Sequence, residues 1–298
     1  MILKGAASQC FLASVTPNLQ ERENGSSVIE CLAESLEHSL ATLPQSDTEG
    51  EARVATPHRK TIVVMPAYNA ARTLAKTYYH IPPNAYDEII LVDDASSDGT
   101  WAVAGALPIT AIRHRKNRGY GGNQKTCYTR ALERGADFIV MLHPDYQYDP
   151  TIVEELVAPL RSGEADAVLA SRMLGDPLAG GMPWWKYVAN KFLTGLENLA
   201  LGTGFSEFHT GYRAYTRKAL ESVNFEANSE DFVFDNEIIV QMVLKQMRFK
   251  EIPVTTRYSY DCSSVNFSQS CIYGVKILRT ILKYFVHRWG IHRSKQFL

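Results

Sequence analysis

Short apolar runs alternate with longer mixed stretches through the middle of the chain. TIVVM (61–65), DEIILVDD (87–94), ITAIRH (109–114), ADFIVML (136–142) and ADAVLASR (165–172) are rich in Val, Ile and Leu and read as strands. Residues 70–79, SDGTWAVAGAL (97–107), GGNQKTCYTRALERG (121–135) and TIVEELVAPLRSG (151–163) read as helices between them. Punctuation supports several boundaries. Asp149-Pro150 has the order of an N-cap followed by a first helical residue, and Gly135 suits a C-cap. Apolar strands alternating with helices predict an α/β fold with a mainly parallel sheet covered on both faces. After Arg172 the alternation fades, and the chain reads as helices and loops completing the same domain.

The two ends read differently. Residues 1–59 are rich in Ser, Glu, Thr and Gly. Within them, 26–43 places Val28, Leu32, Leu36, Leu40 and Leu43 on one helical face, with Ser27 and Glu30 at capping-box spacing. Such a helix packs on the main domain or on a second subunit, so a homo-oligomer is one expectation. Residues 44–60 read as a linker. At the other end, Ile272, Val275, Leu278, Leu282, Phe285 and Trp289 follow helical spacing, with Lys276, Arg279 and Lys283 in a neighbouring stripe. An amphipathic helix of this kind lies on a membrane surface or packs on the domain or in a dimer, and both readings stand. The expected division is an extension over 1–59, a main domain over 60–260 and a helical segment over 261–298.

Composition narrows the classes. The chain has 298 residues, 45% hydrophobic, enough for a sizeable core. A net charge of −1 gives no global basic field for nucleic acid. Five cysteines, at 10, 31, 127, 262 and 271, show no CxxC spacing and read as reduced thiols of a cytoplasmic protein. No stretch reaches the roughly 18 apolar residues of a spanning helix, so the expectation is a soluble or membrane-surface protein.

Chemistry-bearing residues gather where the strands end, which is where open α/β sheets bind ligands. Pro66 and Tyr68 follow the first strand, Asp93 and Asp94 the second, and His143, Asp145 and Gln147 the fourth. Adjacent carboxylates repel unless donors meet them, and a nucleotide base and ribose would supply donors. NRGYGGNQK (117–125), including Gly119, supplies a helix N-terminus with close backbone approach; a structural turn and a phosphate contact are equally good readings. His143, Asp145 and Gln147 alternate, so in an extended chain they point the same way and offer a nitrogen and two oxygens to a divalent ion. A hydrogen-bonded turn is the competing reading.

Taken in order, TIVVMPAYN, IILVDDASSDGT, NRGYGGNQK, VMLHPDYQYDP and ASRM resemble a family 2 glycosyltransferase with the GT-A fold, nearest the polyprenyl-phosphate sugar synthases of the dolichyl-phosphate mannose synthase type. The resemblance covers about 60–260. It implies that Pro66, Tyr68, Asp93 and Asp94 hold base and ribose, that the His143–Gln147 segment holds a divalent ion with the sugar-nucleotide diphosphate, and that Arg172 faces phosphate. Glu207 through Arg213 and Asp231 through Glu237 match two later motifs. The partners implied are a UDP- or GDP-linked sugar and a lipid-linked acceptor, with inversion at the anomeric carbon. There are three departures. Ala70 stands where the family has Glu. His143 stands where it has Asp, which removes a negative charge and favours Mn²⁺ over Mg²⁺. The C-terminal membrane helices of many relatives are missing from the sequence. Arg172, Lys186, Arg213 and Arg257 are candidates to grip phosphate, and Glu207 or Asp235 to act as a base. For Asp235 and Glu237 a solvated helix face is an equal reading, and His209 reads as a structural histidine. A nucleotidyltransferase and a nucleotide-sugar-binding protein without turnover are the alternatives.

Overall fold

The computed structural model describes residues 58–258 and 267–298. The chain divides into Met1–Thr56 and Pro57–Leu298. The first unit lies outside the described residues, and with it the helix expected at 26–43.

Seven strands of the described residues form one sheet: β1 (Thr61–Ala67), β2 (Glu88–Asp93), β3 (Thr110–Arg113), β4 (Phe138–Met141), β5 (Ala167–Ser171), β6 (Arg213–Thr216) and β7 (Phe249–Pro253). Their order is β3-β2-β1-β4-β6-β5-β7. Only β6 runs against its neighbours, antiparallel to both β4 and β5. The helices are α1 (Leu74–His80), α2 (Thr100–Gly105), α3 (Gly119–Glu133), α4 (Val153–Arg161), α5 (Trp184–Leu201), α6 (Arg217–Glu221), α7 (Phe234–Leu244) and α8 (Phe267–Arg288).

Alternation of side chains along buried strands divides the core into two layers. On one face Val63, Met65 and Leu91 pack with Leu74, Leu156 and Val157. On the other, Ile62, Val64 and Ile90 pack with Tyr128, Phe234 and Ile238. A third cluster, including Leu201, Phe208, Ile239, Tyr284 and Phe297, ties α5, α7 and α8 together.

The five expected strands are present. Asp149 caps the turn Pro150–Ile152 through a 3.0 Å bond from the Thr151 amide, just before α4. Three expectations need correction. The first helix begins at Leu74 rather than residue 70, because the amides of Asn69, Ala70 and Ala71 donate to Ser96 Oγ, Thr100 Oγ1 and Asp98 Oδ2 of the next strand-end loop. α3 begins at Gly119, earlier than residue 121. The region after Arg172 contains β6 and β7, not helices and loops alone. RAYT is too short to show a period, and FKEIP carries charges because it is a half-exposed strand at the sheet's edge.

The order fixes where a site can form. The chain winds outward from β1 through β2 to β3, then returns to β4 on the other side of β1. Successive helices diverge at this reversal, opening a crevice beyond the carboxyl ends of β1, β2 and β4.

Candidate active site

Two cavities meet in that crevice. The larger, about 410 Å³, lies over the ends of β1 and β2 and is lined by Pro66, Tyr68, Asn69, Ala70, Asp94, Gly119 and Asp231 among others. The smaller, about 200 Å³, is lined by Gln147, Tyr148, Arg172, Lys186, His209, Asp235, Tyr258 and Tyr273 among others. Tyr120, His143, Asp145 and Phe232 line both.

The paired aspartates separate. Asp94 lines the larger cavity, while its oxygens accept from His114 Nδ1 at 2.6 Å and from the amides of Arg118 and Gly119 at 2.8 and 3.0 Å. Asp93 is sealed. It accepts from the Ser96 amide and faces Arg113 Nε at 3.0 Å. The donors that relieve their repulsion come from the protein, which corrects the expectation that Asp93 meets the nucleotide.

The glycine-rich turn works mainly through packing. A Cβ on Gly121 would sit 2.3 Å from the Ser229 carbonyl oxygen, and one on Gly119, at φ +80°, 2.6 Å from that of Glu230. The Gly119 amide is taken by Asp94 and the Gly121 amide by Glu230. Of the two readings of this turn, close packing is the one with visible contacts; Gly119 still borders the cavity.

Residues 143–147 form a turn and not an extended strand. Tyr146 adopts φ +56°, and the Gln147 amide donates to Asp145 Oδ1 at 3.0 Å. The turn nevertheless brings His143, Asp145 and Gln147 to the wall of one cavity. Burial pushes the His143 imidazole below its ordinary pKa, with Asp145 opposing, and so favours the neutral ring that a metal needs as ligand. Among the described residues no three His, Cys, Asp or Glu side chains gather into a metal cage. The three donors fit an ion that takes its other ligands from a diphosphate and water.

Asp235 lines the smaller cavity and is not on a solvated helix face. The Tyr120 hydroxyl donates to its Oδ2 at 2.6 Å, and Gln124 Nε2 to its Oδ1 at 2.9 Å. Glu237 is buried too, accepting from the amide and hydroxyl of Ser229. Sequence reasoning missed Tyr120, which touches both His143 and Asp235. Its position inside the glycine-rich turn was the available signal.

Glu207 and Arg213 do not line either cavity, and both are fully buried. Glu207 takes Arg172 Nε at 2.8 Å, the Arg172 amide at 2.9 Å and Asn190 Nδ2 at 2.8 Å, and Arg172 holds its carboxyl below the usual range against the opposing effect of burial. A base must reach its proton, so Glu207 is corrected from candidate base to anchor of Arg172. Arg213 donates to the carbonyls of Thr210, Asp235 and Phe208 and does not line either cavity. Arg257 lies over the Tyr146 ring and does not line either cavity. Arg172 and Lys186 are the expected cations that do reach the smaller cavity. Burial, then Arg172, lowers the Lys186 pKa.

Behind this wall lies a buried pair. Glu197 is pushed up to about 8 and His209 down to about 3, each chiefly by burial. His209 Nε2 lies 3.2 Å from Glu197 Oε2, and its Nδ1 lies 3.1 Å from the Tyr273 hydroxyl. Both shifts favour an uncharged pair, and His209 also lines the smaller cavity.

Residues 62–223 match the model of glycosyl transferase family 2. The UDP-N-acetylglucosamine–dolichyl-phosphate N-acetylglucosaminyltransferase of Methanococcus voltae is 25% identical over 66% of this chain and 85% of that protein. The polyprenol monophosphomannose synthase of Mycolicibacterium smegmatis is 27% identical over 67% of this chain and 78% of that protein. Among solved structures, glucosyl-3-phosphoglycerate synthase from Mycobacterium tuberculosis, in complex with Mn²⁺, UDP and phosphoglyceric acid, aligns at a TM-score of 0.59 over 76% of this chain and 78% of that one. At 17% identity that likeness is one of fold, and the fold is GT-A.

Proposed function

This chain belongs to glycosyl transferase family 2, and from that premise we propose that it moves a sugar, with inversion, from a UDP- or GDP-linked donor to the phosphate of a lipid-linked acceptor. The observation that carries this reading is the junction of the two cavities at Tyr120, His143 and Asp145, with Lys186 and Arg172 in the smaller one. The names of the two relatives agree with such an acceptor.

In this reading the larger cavity takes the nucleoside against Pro66, Tyr68 and the edge of Asp94. His143, Asp145 and Gln147 would hold a divalent ion, Mn²⁺ by the nitrogen in the set. The chemistry such an ion supplies is neutralisation of charge on the leaving diphosphate. The acceptor enters the smaller cavity. A hydroxyl acceptor needs a base, and Asp235 already commits its two oxygens to Tyr120 and Gln124. A phosphate acceptor is ionised beforehand and needs cations instead. Lys186 and Arg172 supply them, and an incoming phosphate opposes the lowering of the Lys186 pKa by burial and by Arg172.

The helices beside the smaller cavity support a lipid. α5 exposes Trp184, Val188 and Phe192, and α8 exposes Ile272, Val275, Leu278 and Leu282 beside Lys276, Arg279 and Lys283. Apolar faces with a basic flank suit a membrane interface. Among the described residues no helix is long and apolar enough to cross a membrane.

The test is transfer from UDP- and GDP-sugars to a polyprenyl phosphate in detergent, beside a panel of hydroxyl acceptors. Metal-dependent formation of a sugar–phosphate lipid is expected. Transfer to hydroxyls alone contradicts the acceptor assignment. Nucleotide binding with no transfer favours a binding protein without turnover.

A further inference from the structure

With Asp235 as an ionised acceptor, the hydrogens around Tyr120 have one arrangement. Its oxygen lies 2.6 Å from Asp235 Oδ2 and 3.0 Å from His143 Nε2. A tyrosine hydroxyl has one proton to donate, and an ionised carboxylate only accepts. Asp235 Oδ2 accepts from the Tyr120 hydroxyl, its Oδ1 accepts from Gln124, and the Arg213 guanidinium lies 3.6 Å away. The Tyr120 proton therefore goes to Asp235. The Tyr120 oxygen then accepts from His143, whose hydrogen must sit on Nε2. Packing agrees. The His143 ring stacks on Tyr120 with centroids 5.3 Å apart and an interplanar angle of 20°. Phe232 closes on Tyr120 at 4.7 Å. The Nε2 edge faces Gly211, where even a Cβ would come within 2.9 Å of Nε2 and Cδ2. That edge has no room for an ion.

Resting on the reading of His143 as an ion ligand, we infer that Tyr120 is a positioning residue: it fixes His143 in the Nε2–H tautomer, making Nδ1 the ligand atom, and it joins the ion site to Asp235. A ligating histidine commonly donates its second N–H to an oxygen, which fixes the tautomer and ring orientation. Here the oxygen is phenolic and passes its own proton to a carboxylate. Restoring an acid at position 143 would break this chain. Aspartate there offers an acceptor where the Tyr120 oxygen needs a donor, and sets a second carboxylate beside Asp235 with one proton to share.

The test uses the full-length chain with ¹⁵N-labelled histidine. Long-range ¹H–¹⁵N spectra report which ring nitrogen carries the proton, and His143→Gln assigns the signal. The metal-free wild type is expected to show the Nε2–H form of His143, and Tyr120→Phe a mixture of both tautomers. Titrating UDP with Mn²⁺ should show Tyr120→Phe weakened by about ten- to a hundredfold, and His143→Asp should gain affinity only when combined with Tyr120→Phe. An Nδ1–H tautomer in the wild type, or unchanged affinity in Tyr120→Phe, overturns the inference alone. The Nε2–H tautomer in a wild type that binds no Mn²⁺ overturns the ligand assignment beneath it and leaves the hydrogen-bond chain standing.

Discussion

Glu207 and Arg213 have the chemistry of a transferase site but no contact with its cavities. Their types and order along the chain carried the expectation, while burial, which decides contact, depends on side chains brought in from distant segments. Glu207 is closed in by Asn190 and Arg172, which lie 17 and 35 residues away. Removing one member of a buried ion pair leaves the other uncompensated. Glu207→Ala is therefore expected to lower stability by about 3–5 kcal/mol in urea unfolding, more than a surface glutamate would. The Glu197–His209 pair gives a pH signature. Glu197 is raised from 4.5 to about 8, so the stability it contributes is complete below pH 4.5 and lost as pH rises through 8. His209 is lowered from 6.5 to about 3, so its contribution grows as pH rises from 3 to 6.5 and is level above that. The two slopes oppose each other between pH 4.5 and 6.5, leaving a net fall between 6.5 and 8. That fall is at most about 1.4 kcal/mol per pH unit. Unfolding measured across this range should show it, and Glu197→Gln should flatten it.

At the scale of elements, the strands that build the crevice were legible because they are apolar runs bounded by turn residues. The later strands were not, because β6 is four residues long and β7 lies at an edge. Segment 143–147 was legible as a set of donors but not as a shape: alternation suggested an extended strand, and the Tyr146 turn brings the same three side chains to the same cavity. The glycine-rich turn was legible as a close approach without revealing its packing partner, the backbone at 229–230. Gly121→Ala tests that packing. A methyl group there meets a carbonyl oxygen at 2.3 Å, so the loop carrying Asp231 and Phe232 must move. Destabilisation of about 1–3 kcal/mol and weaker nucleotide binding are expected together. Loss of the Asp149 cap should be milder, with Asp149→Ala costing about 1 kcal/mol and leaving nucleotide affinity unchanged.

Over the whole molecule, the sheet reversal at β1 and β4 creates the crevice, and α5 and α8 place exposed apolar faces beside its smaller cavity. Under the proposed function, a lipid-linked acceptor and an interfacial surface would be one arrangement seen from two sides. Sedimentation with anionic vesicles is expected to carry the wild type down and to leave Val275→Glu/Leu282→Glu in solution with nucleotide binding intact. The claim beneath all of this is that the turn after β4 holds a cation against a diphosphate. Calorimetric titration of UDP and GDP into the wild type and Asp145→Asn, with and without Mn²⁺, tests it most directly. The account predicts that one of the two nucleotides binds the wild type only with Mn²⁺, and binds Asp145→Asn at least about tenfold more weakly. Equal affinity in both proteins, indifferent to Mn²⁺, would contradict it.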